Sequence, residues 1–592
     1  MGGRGFRFKS GIPDNKTKGR RYIIAYVNGE WLEYDEREQY IAELNEEKEL
    51  LTQLMLKDMA YDHDLARLED VLDELEVVTR VHRGERDLLY FAYEFFSDEG
   101  NPDNVSNLIP EGQTYESAAG FHRELCGILD EITKGNITTN VGWSVGRRHA
   151  KTAYLSNIYL CHQVVYRLKK YIVEVSETTD VAGDFVTWTR HQLKFNDKLR
   201  NDFGELLYEK SSMNKLDNKY EFITLSDTKV VAKGVGTQMR GLRYLSYRPD
   251  LFILDDLESQ ENTNTPEMRA KNLHWFRAEM LEALGFGGMC IYMGTIVHYD
   301  SLLNHVLTKR RDFTSRKFPA ILKDADRDDL WDEWRKLYNS DDDKAKDVAD
   351  KFYEDNEAEM NKGAKVLWSE MYSYKYFMEK KEEMGARAFN QEYLGNPVDE
   401  ESQIFNPEYF AYYYESDLDG KDLTYYAAVD LSMGKSDRGD YSAIITLAKQ
   451  KGSPVCYVVD TYIAKKPPDV IMQEIIKRAH KYQYEALAVE SQQFQEWFAD
   501  KLAEELQSTG YPAHTRMKQV KQKMRKELRI EALQPEVVSG RIRFKREQRL
   551  LIEMLEMFPN HNHDDGPDAL ADAYKLTKTD SAVVRMTRKR TR

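Results

Sequence analysis

Asp250-Leu251-Phe252-Ile253-Leu254-Asp255-Asp256-Leu257-Glu258 is a short apolar run that breaks into carboxylates. Its length and composition predict a buried strand, and acids at the carboxyl end of such a strand are what a Mg2+-nucleotide site needs. Asp255 is placed to hold Mg2+ through water, and Asp256 or Glu258 to orient an attacking water. Taken alone, the run also reads as an ordinary acidic turn at a strand end.

Upstream, Ser144-Val145-Gly146-Arg147-Arg148-His149-Ala150-Lys151-Thr152 follows one strand-like segment and opens a helical one. A phosphate-binding loop sits in that place, because backbone N–H groups at a helix N-terminus attract anions. Lys151 would reach the phosphates and the Thr152 hydroxyl the Mg2+. Val145 and Ala150 stand where the usual pattern has glycines, so by itself the loop also reads as a structural turn. Arg147 and Arg148 add charge that would stabilise a transition state in cis or simply clamp phosphate, while His149 reads as a packing residue. Downstream, Met289 to Thr295 forms a further strand ending in Met293-Gly294-Thr295, with Thr295 where a γ-phosphate sensor would sit. Strand-like runs alternating with helical stretches from 108 to 395 predict a parallel sheet covered by helices.

After residue 420 the pattern changes. YYAAVDLSMG, YSAIITLAK and VCYVVDTYI are three strands on short turns, Pro468 to Tyr482 is helical, and EALAVES is a fourth strand. That order matches the ribonuclease H-like fold. Hydrolysis of a phosphodiester through two metals needs several carboxylates around ions roughly 4 Å apart. Asp430, Glu490, Asp565 and Asp568 supply them, the last two sharing one face of a helix. Asp565 is alternatively that helix's N-cap, and Asp440 either an auxiliary acid or a turn residue. Basic residues from Arg516 to Arg549, among them Lys518, Lys526 and Arg529, read as a DNA-facing surface or as a solvated helix face.

The whole chain has 592 residues, 41% hydrophobic, 31% charged and 12% aromatic, which predicts more than one globular domain. No run approaches the roughly 20 apolar residues that span a bilayer, so no membrane association is expected. Cys126, Cys161, Cys290 and Cys456 are too scattered for a zinc site or a disulfide framework. A net charge of -16 excludes a passive nucleic-acid coat, so any DNA contact must be local. Basic clusters at Arg4 to Arg21 and Arg585 to Arg592 read as solvated tails or binding arms. Together with the motifs and strand order above, this predicts a basic N-terminus and helical extension (1–100), a P-loop ATPase domain (101–395), a linker (396–420), a ribonuclease H-like domain (421–580) and a basic tail (581–592). The extension reads equally as a partner-binding arm or a hairpin packed on the next domain. The acidic stretch 322–362 reads as a solvent-facing insertion or, second, as a DNA-mimicking element.

Arg147-Arg148-His149-Ala150-Lys151-Thr152, Arg240-Gly241-Leu242-Arg243, Arg248-Pro249-Asp250, the Leu-Asp-Asp-Leu-Glu strand, Met293-Gly294-Thr295, FNQEYLGNPVDEES at Phe389 to Ser402 and DDGPDALADA at Asp564 to Ala573 occur in an order that resembles phage terminase large subunits. The resemblance implies an additional-strand ATPase fold followed by a resolvase-type ribonuclease H fold. It implies ATP with Mg2+ in the loop Gly146, Arg147, Arg148, His149, Ala150, Lys151 and Thr152, with Arg147 as the cis-acting arginine, Asp255 on the metal and Met293 to Thr295 coupling hydrolysis to motion. Such proteins usually carry Glu in the slot held here by Asp256, so the catalytic acid is Asp256 or Glu258. Asp430, Glu490 and Asp565 match the nuclease acids and Asp568 the extra acid of related resolvases, with Mg2+ or Mn2+ as the metal. The partners implied are double-stranded DNA, a procapsid portal, a small terminase subunit and further copies in a pentameric ring, in the host cytoplasm and not in the mature virion. A helicase-nuclease of DNA repair and a non-enzymatic DNA-binding or capsid scaffold are the alternatives. The first would need strand-separation motifs, and the second sits badly with intact Lys151, Asp255 and Asp430.

Overall fold

The computed structural model describes residues 26–27, 30–340, 344–397, 404–431, 441–490, 495–520, 524–559, 561 and 563–589. Arg4 to Arg21, Asp341 to Asp343, Asp440, Lys521, Lys523, Arg590 and Arg592 lie outside them. The chain divides into two compact units. The first is Met1–Leu322 with Val366–Ser373 and Gln391–Pro397, and the second is Lys323–Lys365, Tyr374–Asn390 and Val398–Arg592.

The first unit is built on a sheet of eight strands: β1 (Asn140–Val145), β2 (Tyr171–Ser176), β3 (Leu216–Asp217), β4 (Glu221–Ile223), β5 (Lys229–Gly234), β6 (Leu251–Asp255), β7 (Met289–Gly294) and β8 (Phe313–Phe318). Their order is β8-β1-β7-β6-β2-β5-β4-β3, parallel from β8 to β5 and antiparallel beyond. A parallel sheet must be covered on both faces. Accordingly Ile253 and Ile291 point into one apolar cluster, and Phe252, Leu254 and Tyr292 into the other. β7 lies between the phosphate-loop strand β1 and the acidic strand β6, which is the additional-strand arrangement. Crossovers between parallel strands bring the loops after β1, β6 and β7 to one edge, where open α/β sheets bind ligands.

The N-terminal segment forms a hairpin of α1 (Tyr34–Leu56) and α2 (Asp62–Arg86), then α3 (Leu88–Phe96). Leu44, Leu51, Val71 and Leu75 close the hairpin in a small cluster of their own. α3 is instead part of the main core: Phe91, Phe95 and Phe96 are fully buried with Val141 and Trp143 of β1. Arg80 of α2 reaches Asp202 at 2.7 Å. The base of the hairpin is thus anchored in the first unit, while Leu50, Leu56 and Leu65 are exposed.

In the second unit seven strands form one sheet: β9 (Ala411–Tyr412), β10 (Leu423–Asp430), β11 (Ser442–Gln450), β12 (Cys456–Ala464), β13 (Ala486–Glu490), β14 (Met517–Val520) and β15 (Ile542–Phe544). The order is β9-β15-β12-β11-β10-β13-β14, with β10, β11 and β12 antiparallel and β13 parallel to β10. That is the ribonuclease H-like arrangement expected from the sequence. The acidic stretch is not simply solvent-facing. Its helix α4 (Asp328–Tyr338) buries Trp331 and Trp334, and Arg335 reaches Glu382 at 3.3 Å and Glu553 at 3.4 Å. The indoles give the helix an apolar side that the charge count conceals. Among the described residues all four cysteines are free and buried, and no helix is long and apolar enough to cross a membrane.

One buried acid of the first unit gives this core a pH dependence. Asp130, in the helix Gly120–Thr133, accepts the Leu88 N–H at 2.8 Å, capping the start of α3. Burial pushes its carboxyl up to about 7 despite that bond. A raised acid contributes stability that is fully present below the unfolded value of about 4 and is lost as pH rises through the folded value. Asp130→Asn is therefore expected to flatten the decline of stability between about pH 4 and 7, read by urea unfolding across a pH series. An unchanged slope would show that Asp130 does not titrate with the fold.

Candidate active sites, one in each unit

The loop after β1 is held by backbone hydrogen bonds and by the buried side chain of His149. Gly146 N–H donates to Phe318 O at 3.1 Å and Arg147 N–H to Glu392 O at 3.0 Å. A side chain on Gly146 would meet Tyr393 O at 2.7 Å, so only glycine fits there. His149 is buried, and its Nδ1 lies 2.8 Å from Arg147 O and 3.1 Å from Gly146 O. His122 Nε2 in turn contacts His149 O at 3.2 Å. Burial lowers both imidazoles, keeping them neutral, so His149 fastens the loop instead of adding charge. Arg148 and Ala150 nevertheless take left-handed backbone, at φ 64° and 55°. The fold imposes a conformation that a glycine would adopt freely.

Lys151 and Thr152 open the helical segment that continues as a π-helix over Ala153–Tyr159. Lys151 Nζ lies 2.5 Å from Asp256 Oδ2 and 3.1 Å from Thr295 Oγ1. The Thr295 N–H donates to Asp256 Oδ1 at 2.8 Å. Asp256 is itself left-handed, φ 41°, and Gly294 lets it approach, since a Cβ there would stand 3.1 Å from Asp256 Oδ1. Three of the eight left-handed non-glycine residues among those described, Arg148, Ala150 and Asp256, lie on the loops of this one cluster, and strain at such a place is a mark of a functional site. Asp255 is fully buried at the end of β6 and takes a hydrogen bond from Ser156 Oγ at 3.2 Å. Burial and the adjacent Asp256 charge hold its carboxyl above the usual range, and its Oδ1 has no hydrogen bond among the described residues. This donor set fits a nucleotide with its Mg2+, because it offers an ammonium, a helix-start hydroxyl and an under-coordinated carboxylate on one strand edge.

Three placements were not legible in the motifs. Glu258 turns away from this cluster: its carboxylate takes the Leu302 and Leu303 N–H groups at 2.8 and 3.0 Å, capping the helix Leu302–Lys309. Arg147 is ion-paired with Glu392, which lies inside the FNQEYLGNP stretch and which burial raises against the pull of Arg147 and Lys151. Glu174 of β2 is fully buried and strongly raised by burial, and reads in the sequence as one more strand residue.

In the second unit Asp430 ends β10 and Glu490 ends the adjacent parallel strand β13, and the pairing of Val429 with Val489 sets the two acids at the same sheet edge. The Glu490 side chain lies outside what is described. Asp565 is the first residue of the helix Asp565–Lys589, so the cap position falls to Asp564. Lys526 Nζ sits among the acids, 2.7 Å from Asp564, 3.3 Å from Asp430, 3.5 Å from Asp565 and 3.9 Å from Asp568. Arg529 holds Asp568 at 2.8 Å and Asp572 at 3.2 Å. Of the basic run read as DNA-facing, Lys526 and Arg529 thus turn inward, whereas Lys518 and Arg525 are exposed.

Burial pushes Asp430 up to about 6 and, with the Asp430 charge added, Asp568 up to about 8. Asp568 Oδ1 is buried without a hydrogen bond among the described residues. Buried carboxylates held up by desolvation and by one another's charge fit a divalent ion. Among the described residues, however, no three acid, histidine or cysteine side chains are drawn tightly enough to hold an ion as they stand. The oxygens are grouped around the lysine instead.

A ribonuclease H-like sheet carrying acids on its first and fourth strands and on a following helix defines a nuclease-type domain. Residues 427–576 match the family model of the terminase RNaseH-like domain, so the resemblance to phage terminase large subunits holds over this segment. No curated protein sequence matches the chain. Among solved structures, the large terminase of a thermophilic bacteriophage is similar at 10% identity, covering 78% of this chain and 98% of that one, with a TM-score of 0.27. The human cytomegalovirus terminase nuclease domain, Mn-soaked and inhibitor-bound, is 13% identical over 29% of this chain and 94% of that one, TM-score 0.23. The cobalt-bound large terminase nuclease of a thermophilic phage is 16% identical over 29% of this chain and 97% of that one, TM-score 0.21. Scores this low carry no weight of their own, and the strand orders and site residues stand without them.

The strained loop is open to a direct check. A left-handed alanine costs about 1–2 kcal/mol, whereas an alanine-to-glycine change in a helix interior loses about 1 kcal/mol. Ala150→Gly is therefore expected to leave stability unchanged or to raise it by up to about 1 kcal/mol in denaturant unfolding. A loss of about 1 kcal/mol would mean that Ala150 is not strained.

Proposed function

We propose that this protein is the large subunit of a phage terminase, hydrolysing ATP to drive double-stranded viral DNA through the portal into a procapsid and cutting concatemeric DNA with its second unit. The observation that carries the reading is the convergence of Asp430, Asp565 and Asp568 inside the segment matched to the terminase RNaseH-like domain. The separate strand-edge site of Lys151, Asp255, Asp256 and Thr295 supports the ATPase half.

In that ATPase half Lys151 and Arg147 bind the phosphates, and Thr152 with Asp255 hold the Mg2+ that accompanies ATP. Asp256, aimed by its strained backbone and by the Thr295 N–H, is the better placed acid to orient water, because Glu258 is engaged in capping a helix. Thr295, bonded to both Lys151 and Asp256, reports the state of the phosphate to β7. In the nuclease half Asp430, Glu490, Asp565 and Asp568 would hold Mg2+ or Mn2+, which would supply an activated water and stabilise the leaving oxygen. Exposed Lys518 and Arg525 meet the DNA backbone and offset the acidic charge of the site. The working assembly is a homo-oligomeric ring, a pentamer, docked on the portal with a small terminase subunit. It acts in the host cytoplasm, transiently at the portal, and is absent from the mature virion.

The test separates the halves. Plasmid cleavage with Mn2+ or Mg2+ and ATP hydrolysis are measured for the wild type, Asp430→Ala and Lys151→Ala. Asp430→Ala is expected to lower cleavage by roughly 10²-fold or more with ATPase intact, and Lys151→Ala to do the reverse. Cleavage that survives Asp430→Ala would displace the nuclease site, and ATPase that survives Lys151→Ala would displace the nucleotide site.

A further inference from the structure

Lys526 stands where the negative charge of the nuclease cluster converges. An exposed lysine usually pairs with one acid and gains little by it. This ammonium lies within 4.0 Å of Asp430 on β10 and of Asp564, Asp565 and Asp568 at the start of the helix Asp565–Lys589. Burial alone would lower it, but those carboxylates outweigh the burial and raise it. It is a compact cation on a flexible stem, carried by the short helix Lys526–Glu531. An open surface depression lined by Arg525, Lys526, Glu527, Leu528 and Glu531 lies on its outer side. Arg529, on the next turn, keeps Asp568 and Asp572 oriented without entering the centre.

We propose that Lys526 is a resident counter-cation of the nuclease site: its ammonium takes the place of a divalent ion, so that seating of the lysine and loading of the site exclude one another. The lysine then sets the metal concentration at which the nuclease becomes competent, and keeps the acids from repelling one another before loading. Its chain neighbour Arg525 is exposed. This inference rests on the reading of Asp430, Asp565 and Asp568 as metal ligands.

The experiment measures Mn2+ binding to the full chain from the electron paramagnetic resonance signal of free Mn2+, for wild type, Lys526→Gln and Asp430→Asn. Removing a positive charge from within about 4 Å is expected to tighten Mn2+ binding by about tenfold or more in Lys526→Gln, whereas Asp430→Asn weakens it. In EDTA the Lys526→Gln chain is expected to melt below the wild type, and Mn2+ to close the gap. Equal or weaker Mn2+ binding in Lys526→Gln, with the wild type binding normally, overturns the counter-cation while leaving the metal site standing. No Mn2+ binding by either chain overturns both. A measurement on the wild type alone guards against a variant that fails to fold: Mn2+ should increase acetylation of the Lys526 amine by an N-hydroxysuccinimide ester, read by peptide mass spectrometry. Protection that is unchanged or increased by Mn2+ sinks the proposal.

Discussion

Carboxylates gathered at the edge of a sheet repel one another and lose hydration, and both sites of this chain depend on how that charge is balanced. In each, a lysine does the balancing: Lys151 on Asp256 at the edge of the first sheet, and Lys526 on the acids at the edge of the second. The imbalance left over is visible in Asp255, Asp430 and Asp568, which burial holds above the usual carboxylate range. A fold that needed only stability would place apolar side chains there, since buried ions rarely repay their desolvation. Groups kept under-compensated in this way are poised to take a cation or a phosphate, and that is the physical link between the two sheets and the chemistry proposed for them.

The first site adds backbone strain to charge. Arg148 and Ala150 are left-handed in the loop and Asp256 is left-handed after β6. None of them is the glycine that such a conformation favours. What compensates is the packing behind them: His149 tied to the Arg147 and Gly146 carbonyls, His122 supporting His149, and Tyr393 closing against Gly146. A loop fixed this firmly before a ligand arrives loses little further entropy on binding it.

Much of the fold was legible. The apolar run from Leu251 to Leu254, fully buried, and its neighbours made a parallel sheet legible because strands covered on both faces must be apolar throughout. The three hairpin-spaced strands after 420 gave the second fold by their order. That Asp430, Asp565 and Asp568 come together was readable from the order of the strands and the helix that carry them. Glu258 was not readable, because a carboxylate that caps a helix and one that orients a water look alike in sequence. Lys526 was named only as one of many basic residues, since nothing in residues 514 to 549 tells an inward lysine from an outward one. The acidic stretch misled in the same way: its charge count outweighed Trp331 and Trp334, whose burial anchors it.

The sequence by itself determined the strands, their apolar faces and the supply of acids and cations, because these follow from residue type and local period. Only the tertiary structure decided the pairing: that Lys151 meets Asp256 and Thr295, that Glu258 caps a helix, and that Lys526 sits between β10 and the helix Asp565–Lys589. The reason is physical. Polarity and period act along the chain, over a few residues, whereas the partner of a charge is fixed by which distant strand ends a crossover brings within about 4 Å.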